Sequence, residues 1–122
     1  MLRLALTATV LAASASFASS VVASASSLAE CLEASDFIAN AARSRDNGLS
    51  REAFMQRLAG DLDAIRNFPS TLRWFAHDES DARFLTRSAA RVFDDPVDPE
   101  THRSIFLRAC FARVDEDAGE PV

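Results

Sequence analysis

From residue 27 onward, apolar positions return at the helical period rather than in alternation, and they do so in five separate runs. In the first, 27–44, Cys31, Ala34, Ile38, Ala41 and Ala42 share one arc of a helical wheel, with Leu28 and Leu32 at one edge and Phe37 at the other. Glu33, Asp36, Asn40 and Arg43 gather opposite, so the pattern predicts an amphipathic helix with Cys31 pointing inward. It stops at Arg45-Asp46-Asn47-Gly48, where Gly48 can supply the left-handed residue that ends a helix.

The second run starts at Ser50 as N-cap, with Glu52 in the first turn and a Leu49–Phe54 pair spaced as a hydrophobic staple. Phe54, Leu58, Leu62 and Ile65 follow at the helical period, with Met55 beside them. Gly60 inside this run costs about 1 kcal/mol relative to Ala, which suggests close packing against a neighbour. Asn67-Phe68-Pro69 ends the helix, because Pro69 restrains the residue before it.

A third, short helix is expected over 70–76, with Leu72, Trp74 and Phe75. His77-Asp78-Glu79-Ser80 interrupts it and offers caps for a fourth, running from Asp78 or Ser80 to Phe93. That helix turns Leu85, Ala89, Val92 and Phe93 inward and sets Arg83, Arg87 and Arg91 in an outward i, i+4 row before Asp94-Asp95-Pro96 closes it. The fifth has the clearest start: Asp98 as N-cap, Pro99 at the first helical position and Glu100 next. Its apolar face is Ile105, Phe106, Ala109, Cys110 and Val114. No strand-like alternation, repeat or second domain is visible. The expected fold is all-α, a small four- to five-helix domain over 26–114, orthogonal or bundle-like. An acidic tail, 115–122, lacks periodicity and is expected to be disordered.

The N-terminus reads differently. Met1-Leu2-Arg3 is a short positive start, Leu4 to Val22 is apolar and small, and Ala23-Ser24-Ala25 carries small residues where a signal peptidase reads. The expectation is a signal peptide over 1–25, cleaved after Ala25, with Ala18 as a second candidate site, and a periplasmic or secreted product. The serines in this stretch make it a poor permanent membrane span. Leu28-Ala29-Glu30-Cys31 is not a lipidation box, since Glu30 is neither small nor neutral.

Export changes the meaning of the two cysteines. Cys31 lies in the first helical run and Cys110 in the last, each on an apolar face. In an oxidising compartment they are expected to form one disulfide joining first and last helices. By loop entropy, closing about 80 residues is worth roughly 4.5 kcal/mol.

Charge and candidate chemistry narrow the function classes. All thirteen basic residues are Arg, against 18 acids, for a formal net charge of −5, and Asp115, Glu116, Asp117 and Glu120 lie in the tail. Such a balance, without a basic stripe, argues against nucleic acid as partner. His77 and His102 are the two imidazoles, and no HExxH or CxxC accompanies them, so no metal site or other cofactor is indicated. His77, Asp78 and Asp81 read as cap and turn residues before they read as ligands. Cys110 and His102 lie about two turns apart on one helix, and a structural bridge explains the cysteines better than thiolate catalysis. Paired carboxylates (Asp61 and Asp63, Asp78 and Asp81, Asp94 and Asp95) sit at helix ends or on solvated faces. No catalytic residue is assigned. The candidate interaction patch is Arg73, Trp74 and His77, since Trp and Arg are enriched at binding hot spots.

A first-helix cysteine followed by Ala41-Ala42-Arg43-Ser44-Arg45-Asp46-Asn47-Gly48-Leu49-Ser50, and later Val92-Phe93-Asp94-Asp95-Pro96 before a last helix with a second cysteine, makes a layout. It resembles small exported proteobacterial two-cysteine helical proteins of unknown function, which carry no catalytic residues to transfer. In size, helicity and single disulfide it is similar to periplasmic acid-stress chaperones and to some periplasmic immunity proteins, at the level of architecture. The leading expectation is therefore an exported, non-catalytic protein-binding module that engages another protein. An acid- or stress-related chaperone is second, and a small hydrolase or metal enzyme around His77 and Asp78 last.

Overall fold

The computed structural model describes residues 27–119 of the 122-residue chain. The expected leader and the cleavage site after Ala25 lie outside the described residues, as does the end of the acidic tail. The described residues form four α-helices and one 3-10 turn: α1 (Leu28–Asp46), α2 (Arg51–Ile65), the turn Ser70–Leu72, α3 (Glu79–Asp94) and α4 (Pro99–Gly119). The Cys31–Cys110 disulfide joins the first and last of these helices, with the two Cα atoms 5.8 Å apart.

Each helix begins where its side chains can satisfy the free N–H groups. Ser27 and Glu30 form a reciprocal capping box on α1. Ser50 accepts from the Ala53 N–H at the start of α2, and Asp78 from the Asp81 N–H at the start of α3. Asp98 accepts from both the N–H and the hydroxyl of Thr101 at α4, and those bonds hold its carboxyl below the usual carboxylate range. At the other end of α1, Gly48 adopts φ +98°. The Leu49 N–H donates to Ser44 O and the Gly48 N–H to Arg45 O, which is the Schellman closure.

α1 is the central element. It lies against α4 and α3, while α2 lies against α3. The buried face of α1 is Cys31, Ala34, Ser35, Ile38, Ala39, Ala41 and Ala42, mostly small side chains that allow a close neighbour. α4 runs antiparallel to it, with Cys110 near the start of α1 and Glu100 paired to Arg43 near its end at 3.1 Å. Asp36 of α1 also pairs with Arg103 of α4. α2 and α3 are clasped at both ends, by Arg51–Asp94 at 2.8 Å and Arg66–Glu79 at 3.0 Å. These ion pairs are exposed and fix register more than they add stability.

The core gathers Ile38, Leu58, Leu62, Phe75, Leu85, Val92, Phe106 and the disulfide. Phe75, Phe84 and Phe106 form a triangle with centroids 5.4–6.1 Å apart. A second run of rings, Phe93, Phe54, Phe37 and Trp74, connects α3, α2 and α1 to Phe75.

Several expectations require correction. The third helix is only the turn Ser70–Leu72, because Trp74 takes a left-handed φ of +55° and reverses the chain before a helix can develop. Leu28 and Leu32 are exposed, since α4 covers only the centre of the expected arc. Ile105 and Ala109 likewise stay largely exposed, and His102 takes a buried place on α4 instead. α4 continues to Gly119, past the expected end at Val114. Once a helix is established, the exposed Asp115 and Glu116 propagate it without needing a buried face, and Gly119 is the first helix breaker. Gly60 does not mark close packing: a Cβ there would meet nothing within 4 Å.

Two expected outcomes follow. Gly60→Ala removes backbone freedom from the unfolded chain without a clash, and is expected to stabilise by about 0.4–1 kcal/mol. Thermal unfolding of the oxidised protein should show a midpoint raised by a few degrees; a lowered midpoint would mean that Gly60 has a neighbour. Replacing both cysteines by Ser is expected to remove roughly 2–5 kcal/mol, read by urea unfolding.

Candidate functional site

The segment after the 3-10 turn places one of the two histidines. With Trp74 left-handed, Phe75 and Ala76 turn into the core and His77 follows them to 7% exposure. Trp74 is held by its Nε1–H donating to Glu33 at 3.1 Å and by ring contacts to Phe37 and Phe75. Arg73 donates from Nε to Phe68 O at 2.7 Å.

His77 has an acceptor at each nitrogen: Ser70 O is 2.6 Å from Nδ1, and Glu30 Oε2 is 2.5 Å from Nε2. A proton on each nitrogen satisfies both acceptors, so the geometry favours the imidazolium. Burial opposes that charge, but the Ser70 carbonyl and the Glu30 carboxylate together outweigh it, and the pKa is raised. Neighbouring Asp81 is buried and accepts from Arg113 Nη2 at 2.9 Å, while that guanidinium lies over the Phe84 ring. The Asp81 Oδ2 is buried without a hydrogen-bond partner among the described residues. Burial, followed by repulsion from Asp78, raises the Asp81 pKa against the pull of Arg113 and His77.

This cluster ties the start of α1, the loop and α3 to the end of α4. It offers little to a substrate, since both nitrogens of His77 are committed and the ring is enclosed. Asp78 is occupied in capping α3. Among the described residues no group of three His, Cys, Asp or Glu side chains could hold a metal ion. The Arg73, Trp74 and His77 patch is thus not one surface. His77 is interior, and the half-buried Arg73 and Trp74 are bonded within the chain.

His102 is placed by a different device. Arg45, at the end of α1, donates to Val92 O at 2.7 Å, to Val97 O at 2.8 Å and to Asp46 at 2.9 Å, gathering the α3–α4 loop onto α1. The His102 Nε2 accepts from the Val97 N–H at 3.1 Å and lies 3.3 Å from Arg45 Nη1. Two donors converge on Nε2, so the ring is neutral with its proton on Nδ1. Burial, then the charge of Arg45, lowers its pKa.

His102 also lines a cleft whose rim carries arginines without salt-bridge partners among the described residues. This cleft of about 310 Å³ lies between α3 and α4, with Ile38, Phe84 and Phe106 beneath and Ile105 and Ala109 on the α4 side. Arg87, Ser88 and Arg91 form its α3 side. No acid lines it. Together with Arg83, these arginines make the outward row of α3, and none of the three has a salt-bridge partner among the described residues. The row was legible as periodicity. The cleft was not, because it depends on how far α3 and α4 splay above α1.

Compared with known proteins, the chain matches no family, no curated protein and no solved structure.

The two histidines give opposite pH dependences. His77 binds its proton more tightly folded than unfolded. Its contribution is therefore complete below the unfolded value of 6.5 and is lost as pH rises through the raised folded value. His102 binds its proton less tightly when folded. Its contribution is complete above 6.5 and is lost as pH falls through the lowered value. His77→Gln is expected to cost most near pH 5 and least near about pH 8.5, and His102→Gln the reverse, each by roughly 1–3 kcal/mol at its maximum. Urea unfolding of both variants at the two pH values checks this; slopes of the same sign would refute it.

Proposed function

We propose that this is an exported, non-catalytic protein-binding module, and that its contact face is the arginine row of α3 beside the α3–α4 cleft. The observation that carries the reading is the row itself. Arg83, Arg87 and Arg91 repeat at i, i+4, where like charges destabilise a helix by a few tenths of a kcal/mol per pair. None of the three makes a salt bridge within the described residues, although Asp94 and Asp95 border Arg87 and Arg91, the chain holds 18 acids, and most of its other arginines are bonded. A local cost that intramolecular pairing could relieve is understandable if a partner supplies the carboxylates.

The matching partner is an acidic protein surface with an apolar side chain to set beside the exposed Ile105. A polyanion such as nucleic acid fits less well, because the chain as a whole carries a formal charge of −5. Export is supported by the disulfide, which persists in oxidising compartments. No helix among the described residues is long and apolar enough to cross a membrane.

The test is capture from the host's envelope fraction at moderate salt by three immobilised oxidised baits, followed by rebinding of the purified partner. The baits are the parent protein, Arg83→Glu/Arg87→Glu/Arg91→Glu, and Arg73→Ala/Trp74→Ala. A stoichiometric acidic partner is expected with the first and third and is expected to be lost with the second. Equal binding to the triple variant refutes the α3 face. Loss confined to the third bait returns the contact to Arg73 and Trp74.

A further inference from the structure

The cleft has a chemistry of its own, although it shares Arg87 and Arg91 with the crest of α3. Its floor is apolar, and two aromatic rings, Phe84 and Phe106, meet there at 5.4 Å. One lip is doubly cationic, through Arg87 and Arg91. The cavity's own lining holds no carboxylate, while Asp94 and Asp95 border the same two arginines in an adjoining hollow without pairing to them. The volume of about 310 Å³ is at the lower end of small-molecule sites, which begin near about 300 Å³. At the inner end stands His102, 3% exposed, with Nε2 committed to the Val97 N–H. The remaining Nδ1–H has no acceptor among the described residues.

We infer that the α3–α4 cleft binds a small apolar carboxylate, with the acid between Arg87 and Arg91 and the hydrocarbon on Phe84, Phe106 and Ile38. A guanidinium presents parallel N–H donors that match the two oxygens of a carboxylate. Held at the edge of an apolar cleft, such a pair is less screened than on an open surface. The apolar body removes the exposed flank of Ile105 from water. Neither a neutral hydrocarbon nor a bare anion uses both halves of the site. The ligand class is therefore an acid with a short alkyl or aryl body, either free or at the apolar C-terminus of a peptide. This inference does not depend on a protein partner for α3.

The test is a ¹⁵N–¹H NMR titration of the oxidised protein with octanoate, 1-octanol and acetate, and with a short peptide ending in Leu as its free acid and as its amide. Octanoate is expected to give saturable shifts centred on Phe84, Ser88, Ile105 and Phe106. Acetate and 1-octanol should bind about tenfold or more weakly, as loss of a charged hydrogen bond or of the apolar body predicts. Arg87→Gln/Arg91→Gln should bring octanoate to the level of 1-octanol. Ala109→Trp fills the cleft from an exposed position and should abolish the shifts while leaving Arg83, Arg87 and Arg91 in place. Loss of ligand with retained partner capture therefore separates this site from the docking face. Tighter binding of the peptide acid than of octanoate, with the amide weak, supports the site and assigns its source to a chain terminus. Equal binding of octanoate and 1-octanol, undiminished binding to Ala109→Trp, or no saturable shift with any acid overturns the inference.

Discussion

The close approach of α1 and α4 constrains everything else in this domain. It is made possible by alanines, Ala34, Ala41 and Ala42, which let a second helix come near but bury little apolar area of their own. At about 25 cal/mol per Å² of buried apolar surface, a seam of methyl groups is a weak adhesive. The disulfide offsets that weakness by limiting the unfolded chain rather than by adding contact area. Small residues and a covalent link thus belong together here. The first permits the proximity that the second makes durable.

Because α1 takes the close neighbours, α3 and α4 are left to meet through large side chains. Phe84 and Phe106 reach across, and Phe75 enters between them from the loop. That entry requires the backbone reversal at Trp74, a residue with no glycine-like freedom, which is compensated by its bond to Glu33 and its packing on Phe37. The reversal also draws His77 inward, where Glu30 and Ser70 O select its charged form. At the opposite end Arg45 gathers the α3–α4 loop and selects the neutral form of His102. Two buried imidazoles in one small domain therefore have pKa values shifted in opposite directions, each through the atoms that meet its nitrogens. Their contributions to stability fade in opposite directions of pH from 6.5.

The elements legible in the sequence were those governed by local chemistry. Ser50, Asp98, Pro99 and Gly48 act at helix ends through neighbours three to five residues away, and the Cys31–Cys110 bond followed from two apolar faces and a pairing with no alternative. The parts that escaped depend on distant contacts. Nothing near Trp74 announces a left-handed residue, because the conformation is stabilised by Glu33 and Phe37 on another helix. His102 and Asp81 read as polar positions, yet Arg45 and Arg113, remote in sequence, make their burial tolerable. Gly60 misled for the converse reason: a residue unfavourable in a helix suggests a tertiary cause, and here the open space around it supplies none. Of the candidate site, the Arg83, Arg87, Arg91 row was visible and the cleft beside it was not.

The placement of that row is the strongest functional clue. A helix crest needs only solubility, and alternating acids and bases would give it together with favourable i, i+4 pairs. α2 and α3 already exchange such pairs at their two ends, so suitable carboxylates are near. Yet the middle arginine, Arg87, has arginine on both sides along the row and borders the apolar cleft as well. Positive charge is thus concentrated where the surface is also concave and greasy, on a chain that is acidic in total. Each property alone is ordinary for a solvated helix. Their coincidence in the cleft between α3 and α4 is what a site for an anion with an apolar body requires.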